Sequence, residues 1–267
     1  MARIAQPGCG FCDIHCHILP NVDDGPDHLR VSVAMCREAV ADGIRTIVAT
    51  PHFNDTYRPD AEAVSAALES LRAAVADVAL PLEILPGADV APVKGLLDLL
   101  AESDRFTIAG RGKYILFEPP RQAMPDWVSQ VIFELRIRGL GVIITHPERN
   151  AAVQGDPNII LPLVQSGVML QLTADSVVGN FGDAAERCAA SLLKMNAAHF
   201  IASDAHSAVR RVPHLADAAE RAARYLGEQE AVRLVSQNPY AAVRGEAIAL
   251  PEPRPLRSWL SMFSLTR

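Results

Sequence analysis

The stretch "CGFCDIHCHILPNVDDG", Cys9–Gly25, holds three cysteines, two histidines and three aspartates in seventeen residues. Its reading decides between a thiol site and a strand that delivers histidines to a metal. Phe11–His17 is a short β-rich run, and on a strand side chains two apart share a face. Asp13, His15 and His17 are therefore expected to point together into a barrel. Cys12, Ile14 and Cys16 would then face a helical shell, which makes Cys12 and Cys16 small buried hydrophobes. Cys9 and Cys12 form a Cys-x-x-Cys, but it precedes a strand instead of opening a helix. No second pair follows at zinc-knuckle spacing, since Cys36 and Cys188 stand alone.

Working outward, β-rich runs alternate with Ala- and Leu-rich helical stretches. After Phe11–His17 come Ile44–Thr50, Leu82–Gly87, Tyr114–Glu118, Gly141–His146, Val168–Thr173 and His199–Asp204. Most are apolar runs rather than strict alternations, as expected of parallel strands covered on both faces. Seven βα units without a composition break predict an α/β fold, a distorted TIM-like (β/α)7 barrel. Leu29, Val33, Cys36 and Val40 recur at helical spacing, with Asp27 as the expected N-cap and Gly43 as the left-handed stop. Helices are also predicted over Ala61–Val78 and Pro213–Leu226. The expected division is an extension over 1–10, a barrel domain over 11–250 and a Pro-rich, then apolar tail over 251–267, around Trp259 and Phe263. The tail is expected to pack on the barrel.

The 267 residues carry a net charge of −6, which disfavours nucleic acid as a partner. No run approaches the twenty or so apolar residues of a membrane span, and the first dozen residues do not read as a signal peptide. Five cysteines, an odd number, fit reduced thiols in a cytoplasmic protein.

In a βα barrel, chemistry sits where strands end. The predicted strands deliver His15 and His17, then His52, Asp89, Glu118, His146 with Arg149, and Asp204 with His206 to one rim. "VDDG" brings Asp24 back over the same rim, with Asp23 as an alternative. His199 falls at the opposite rim, and His28 and His214 begin helices, so these three are expected to be exposed or structural. Histidines two apart on a strand lie about 7 Å apart along the backbone, close enough to converge on one ion. Neutral imidazoles with carboxylates suit Zn, Mn or Fe, and the carboxylate-rich parts suit Mn or Mg.

The order "DIHCHILPNVDDG", "VATPHF", "LPGADV", "YILFEPP", "THPERN", "QLTADSVVGNFG", "SDAH" and "NPYAAVRG" resembles the bacterial PHP-type, metal-dependent protein tyrosine phosphatases encoded with capsule and exopolysaccharide machinery. The resemblance runs from about Asp13 to Gly245. It implies a barrel with two to three divalent ions, Mn first. His15, His17, Asp89 and Asp204 would hold one metal. Asp89, Glu118 and His146 would hold a second, and Asp24, His52 and His206 a third. Arg149 and Arg211 would bind phosphate, and Asp204 or a metal-bound water would handle the leaving-group proton. The implied partner is a tyrosine-phosphorylated protein, such as a kinase regulating polysaccharide export. Asp89 stands where the family commonly has Glu, Phe53 where another His is frequent, and Arg210 adjoins Arg211 as a possible substitute.

Rival readings are weaker on the residues. A Cys-based phosphatase needs Cys-x5-Arg, but the sixth residues after the cysteines are His15, Ile18, Val22, Asp42 and Lys194. An amidohydrolase-type barrel commonly needs a lysine at the end of strand 4, where Glu118 stands. Histidinol phosphatases, nucleotidases and phosphodiesterases of the same superfamily share fold and metals, so the ligands do not separate them. A non-catalytic metal-binding scaffold has the complete ligand set and both arginines against it.

Overall fold

The computed structural model describes residues 8–256. The expectations for 1–7 and for the tail around Trp259 and Phe263 lie outside the described residues. Among the described residues the strands are β1 (Phe11–Cys16), β2 (Ile44–Ala49), β3 (His52–Phe53), β4 (Glu83–Pro86), β5 (Asp89–Val90), β6 (Tyr114–Phe117), β7 (Gly141–Thr145), β8 (Met169–Thr173) and β9 (Phe200–Ala202). Every pairing is parallel, in the orders β1-β2-β4 and β3-β5-β6-β7-β8-β9.

The two sheets are one set of seven staves. β2 and β3 are halves of a single predicted strand, interrupted where Pro51 has no N–H to offer the ladder. β4 and β5 are halves of the next, interrupted at Gly87, whose Cβ would lie 2.6 Å from a methyl of Val48. The broken staves stay side by side, since Asp89 N donates to Pro51 O at 3.1 Å. At the remaining seam β9 returns to β1. Asp204 N donates to His15 O at 2.8 Å and His17 N to Ala205 O at 2.9 Å.

Apolar alternation along the staves builds two buried layers. Cys12, Ile14, Val48, Leu116, Ile143 and Phe200 form the inner one, closed below by Ala242 and Val243 of the helix Asn238–Arg244. Ile115, Phe117, Val142 and Ile144 face outward, against Val128, Ile132 and Leu135 of the helix Asp126–Ile137. Fully burying a Phe such as Phe117 or Phe200 contributes about 1.5–3 kcal/mol.

Three local expectations are corrected. Cys12 and Ile14 belong to the inner layer, and only Cys16 faces the shell. The cause is a β-bulge, because Asp13 pairs with Ile47 and Cys16 with Ala49, leaving one extra residue in β1. The bulge resets the alternation, so Ile14 below and His15 above both turn inward. His28, not Asp27, is the N-cap of the helix Leu29–Asp42, and it makes no side-chain cap bond. Gly43 ends that helix with φ of 103°, as expected. The last long predicted helix starts at Ala216 rather than Pro213, and Asp42 caps it from afar, accepting from Leu215 N at 2.5 Å and Ala216 N at 2.9 Å.

Asp13 binds the bulge to β9. It accepts from His15 N at 3.3 Å, Ser203 N at 3.0 Å and Ser203 Oγ at 2.5 Å, while Ser203 Oγ accepts from Ala205 N at 3.1 Å. Each stranded buried donor costs about 1–3 kcal/mol, so Asp13→Ala is expected to lose about 3 kcal/mol of stability, read as a lower urea midpoint at unchanged slope. Asp13→Asn keeps one acceptor oxygen and should lose less than half of that. Equal losses in the two variants would show that these hydrogen bonds do not hold the seam.

Candidate metal centre

All nine candidate ligands gather at the carboxyl ends of the staves. His15 lies on the bulged end of β1 and His17 directly follows it, with Nε2 atoms 3.2 Å apart. His15 Nε2 is 3.7 Å from Asp89 Oδ2 and 3.6 Å from Asp204 Oδ1. His52 Nδ1 lies 3.2 Å from Asp89 Oδ2 and 3.6 Å from Glu118 Oε2, and His146 Nε2 is 3.5 Å from Glu118 Oε1. His206 Nε2 is 3.4 Å and His52 Nε2 3.7 Å from Asp24 Oδ1.

Three groups have donor atoms within 4.8 Å of one another: His17, Asp24, His52 and His206; His15, His17 and Asp89; and His52, Asp89 and Glu118. These differ in detail from the sets implied by resemblance. His17 joins the group of Asp24, and His52 stands where His146 was expected beside Asp89 and Glu118. Asp204 is in none of the three, yet its Oδ1 is 3.5 Å from His17 Nε2 and 3.8 Å from His206 Nδ1.

Asp23 and Asp24 have different roles. The Asp23 side chain is fully buried and accepts from His17 Nδ1 at 2.7 Å, His52 N at 2.9 Å and Gly25 N at 3.0 Å. Gly25 is needed there, since a Cβ would sit 2.6 Å from His17 O. Asp24 is 44% exposed and faces the imidazoles. Asp24 is thus placed as a ligand and Asp23 as the group that orients one.

Proton placement tests whether these residues fit a cation. His17 Nδ1 donates to Asp23 and His15 Nδ1 donates to Gln171 Oε1 at 2.8 Å. His206 Nδ1 donates to Asp204 O at 3.0 Å. In the neutral tautomers that these bonds imply, each Nε2 presents a lone pair, and those of His15 and His17 face each other. His206 Nε2 is buried without a hydrogen-bond partner. Buried acceptors facing acceptors are costly unless a cation lies among them, and a carboxylate behind a histidine is the usual support of a metal ligand.

Electrostatics agree with this. Burial lowers the His17 pKa to about 4, and burial together with the charge of Arg149 takes His146 to about 3, so both are neutral and ligand-competent at pH 7. Burial works against charge on His52 too, but Asp89, Glu118 and Asp24 outweigh it and raise its pKa to about 9. Burial raises the Asp204 carboxyl, but His15 and Arg211 reverse this and hold it well below the usual range.

Asp204 also meets the two arginines. Arg149 reaches its Oδ2 at 2.6 Å and Arg211 at 2.7 Å, and Arg211 donates to Asp204 O at 2.8 Å. Arg210 is exposed and takes no part in this pair. Phe181 lies beneath both guanidiniums, 4.6 Å from Arg149 and 5.6 Å from Arg211. The sequence reading missed Phe181, Gln171 and Arg121. Phe181 sits inside "QLTADSVVGNFG" between Gly179 and Gly182, both with positive φ, and the paired glycines signalled a loop held close to the rim. His146 and Asp204 themselves have φ of 37° and 51°, strained values for residues with a Cβ. The other histidines are structural or exposed, as expected. His199 is buried and accepts from Leu170 N at 3.1 Å, while His28 and His214 are exposed.

Comparison with known proteins agrees with this geometry. Residues 11–244 match the family model described as capsular polysaccharide synthesis, CpsB/CapC. The tyrosine-protein phosphatase YwqE of Bacillus subtilis (strain 168) is 37% identical over 203 residues, 76% of this chain and 80% of YwqE. The tyrosine-protein phosphatase CpsB of Streptococcus pneumoniae is 26% identical over 209 residues, 76% of this chain and 86% of CpsB. A crystal structure from work on YwqE of Bacillus subtilis and CpsB of Streptococcus pneumoniae, described as unique metal-dependent tyrosine phosphatases, superposes with a TM-score of 0.87 at 33% identity. It covers 92% of this chain and 100% of its own.

Two outcomes are expected on titrating metal-free protein with Mn2+ by calorimetry. Burial and Asp89 raise the Glu118 pKa to about 7, so above that pH the His52 pKa of about 9 dominates: binding at pH 8 should release a proton, and the release should fade as pH rises through about 9. Two buffers of different ionisation enthalpy read that count, and no buffer dependence at pH 8 would exclude His52 as a ligand. Asp23→Asn, which removes no ligand, should weaken binding about 10–100-fold.

Proposed function

The chain belongs to the capsular polysaccharide synthesis CpsB/CapC family, and from that premise we propose that it is a metal-dependent phosphatase hydrolysing phosphotyrosine on proteins. The observation that carries the reading is the shared carboxylate of Asp204, with the Nε2 atoms of His15 and His17 near one oxygen and two guanidiniums on the other. A cation site and a phosphate site thus adjoin through a single side chain.

His15, His17, Asp89 and Asp204 would hold one divalent ion, Asp89, Glu118 and His146 a second, and Asp24, His52 and His206 a third. Manganese fits this mixed oxygen and imidazole set, and Fe, Zn and Mg are alternatives. When bound, such ions supply Lewis-acid polarisation of phosphoryl oxygens and lower the pKa of water.

The chain's own residues do the rest. Asp23 and Gln171 keep the protons of His17 and His15 on Nδ1, so that Nε2 stays available. Arg149 and Arg211 take up the equatorial oxygens of the phosphoryl group by forked, charge-assisted hydrogen bonds, as charge develops there. Phe181 offers both guanidiniums the face of its ring. Asp204 stays ionised between them, which suits a ligand and argues against it as the proton donor. The tyrosyl leaving group, with a pKa of about 10, needs no dedicated acid to depart. The protein substrate on this reading is a kinase of polysaccharide export, and the setting is the cytoplasm. Among the described residues no helix is long and apolar enough to cross a membrane.

Turnover of a phosphotyrosine peptide should depend on added Mn2+ and be abolished by a chelator. Arg149→Ala should lower kcat/KM about 10²–10³-fold with metal content retained. Phosphoserine peptide, histidinol phosphate and nucleotides should be poor substrates under the same conditions. Faster turnover of histidinol phosphate or a nucleotide than of the phosphotyrosine peptide would reassign the activity within the superfamily.

A further inference from the structure

A trough leads away from the candidate centre. A cavity of about 430 Å3 is lined by Glu118 and Arg121 at the site end, by Pro92, Pro119 and Pro120, and by Trp127. A second, of about 580 Å3, shares Pro92, Val93 and Trp127 with the first and continues to Lys94 and Val131. Trp127 is the hinge between them and is 41% exposed, although it stands near the start of a helix whose other face is buried core.

We infer that this trough receives the polypeptide flanking the phosphotyrosine of a protein substrate, with an apolar side chain of that segment packing on Trp127 and an acidic side chain facing Lys94. The inference rests on the phosphatase reading and names the substrate segment for that site.

Three observations support it. The trough is continuous with the centre, because Glu118 is both a ligand candidate and part of the lining. A phosphotyrosine side chain alone ends at the centre and has no use for a surface reaching Lys94. The lining is also pre-organised. Its prolines have fixed φ and no free N–H, so a bound segment orders little of the protein and strands no donors there. Exposed tryptophans beside rigid walls are favoured anchors, because they offer a large contact area with few rotatable bonds. Charge of both signs lines the trough, Arg121, Lys94 and Arg138 beside Asp55, Glu118 and Asp98, and Lys94 stands exposed at the far end, where an acidic side chain of a bound segment can meet it.

The test compares wild-type protein, Trp127→Ala, Trp127→Phe and Lys94→Glu, all loaded with Mn2+. The substrates are a phosphotyrosine peptide of about ten residues with apolar and acidic flanks and para-nitrophenyl phosphate. Trp127→Ala should raise KM for the peptide about tenfold. The ratio of kcat/KM for peptide to that for aryl phosphate should fall by the same factor. Trp127→Phe should restore most of it, and Lys94→Glu should raise peptide KM about threefold without help from Trp127. An unchanged ratio in Trp127→Ala overturns the inference, as does an equal fall on both substrates, which marks a structural role. If wild-type protein hydrolyses neither substrate, the phosphatase reading fails first, and that result is visible before any variant is made.

Discussion

The seam between β1 and β9 is the constraint on which the rest of the centre depends. One carboxylate, Asp13, takes hydrogen bonds from both sides of it, from His15 N within the bulge and from the backbone and hydroxyl of Ser203. The first stave carries His15 and His17, and the residues after the last carry Asp204 and His206. Without the seam these four groups belong to opposite ends of the chain. The bulge is equally necessary. Strict alternation would place Ile14 and His15 on opposite faces, and the extra residue lets the inner apolar layer end at Ile14 while the polar cluster starts at His15.

The cluster built on that seam is poorly satisfied by itself. The facing lone pairs of His15 and His17 and the left-handed backbone at His146 and Asp204 both oppose folding. The two apolar layers supply the stability that offsets them, and a cation bound only by the folded state would add to it by mass action. Such a division of labour is physically sensible: the lower part of the barrel is dry and well packed, and the upper rim is where charge is concentrated.

Much of this was legible in the sequence because parallel strands covered on both faces read as apolar runs, and because histidines and carboxylates kept recurring at their carboxyl ends. The seven staves and the gathering of His15, His17, His52, Asp89, Glu118, His146, Asp204 and His206 at one rim follow from that pattern, whereas the choice of Arg211 over Arg210 rests on the family resemblance. The bulge was not legible, since an inserted residue leaves no mark on composition, so Cys12 and Ile14 were placed on the wrong face. The breaks at Pro51 and Gly87 had residue signals, but each half-stave is too short for a period to show. The separate roles of Asp23 and Asp24 depend on a turn geometry that adjacent identical residues conceal. Gln171 and Phe181 act on charged neighbours distant in sequence, which no local pattern reports.

The opening cysteines illustrate how burial settles a chemical question. Burial raises the thiol pKa of Cys12 and Cys16 well above its ordinary value and takes Cys36 and Cys188 to about 12. At neutral pH these sulfurs are neutral and packed, unable to act as nucleophiles or soft metal ligands. The same low-dielectric surroundings have the opposite consequence for Asp204, because two guanidiniums and several imidazoles surround it. Its Oδ2 accepts from both arginines, so on the phosphatase reading a phosphoryl oxygen would take over that contact. A dianionic phosphate can compete for the two guanidiniums, whereas a neutral amide offers no charge to do so. On that reading, selectivity for phosphate over amides arises from the residue that links the imidazole-facing and arginine-facing halves of the site.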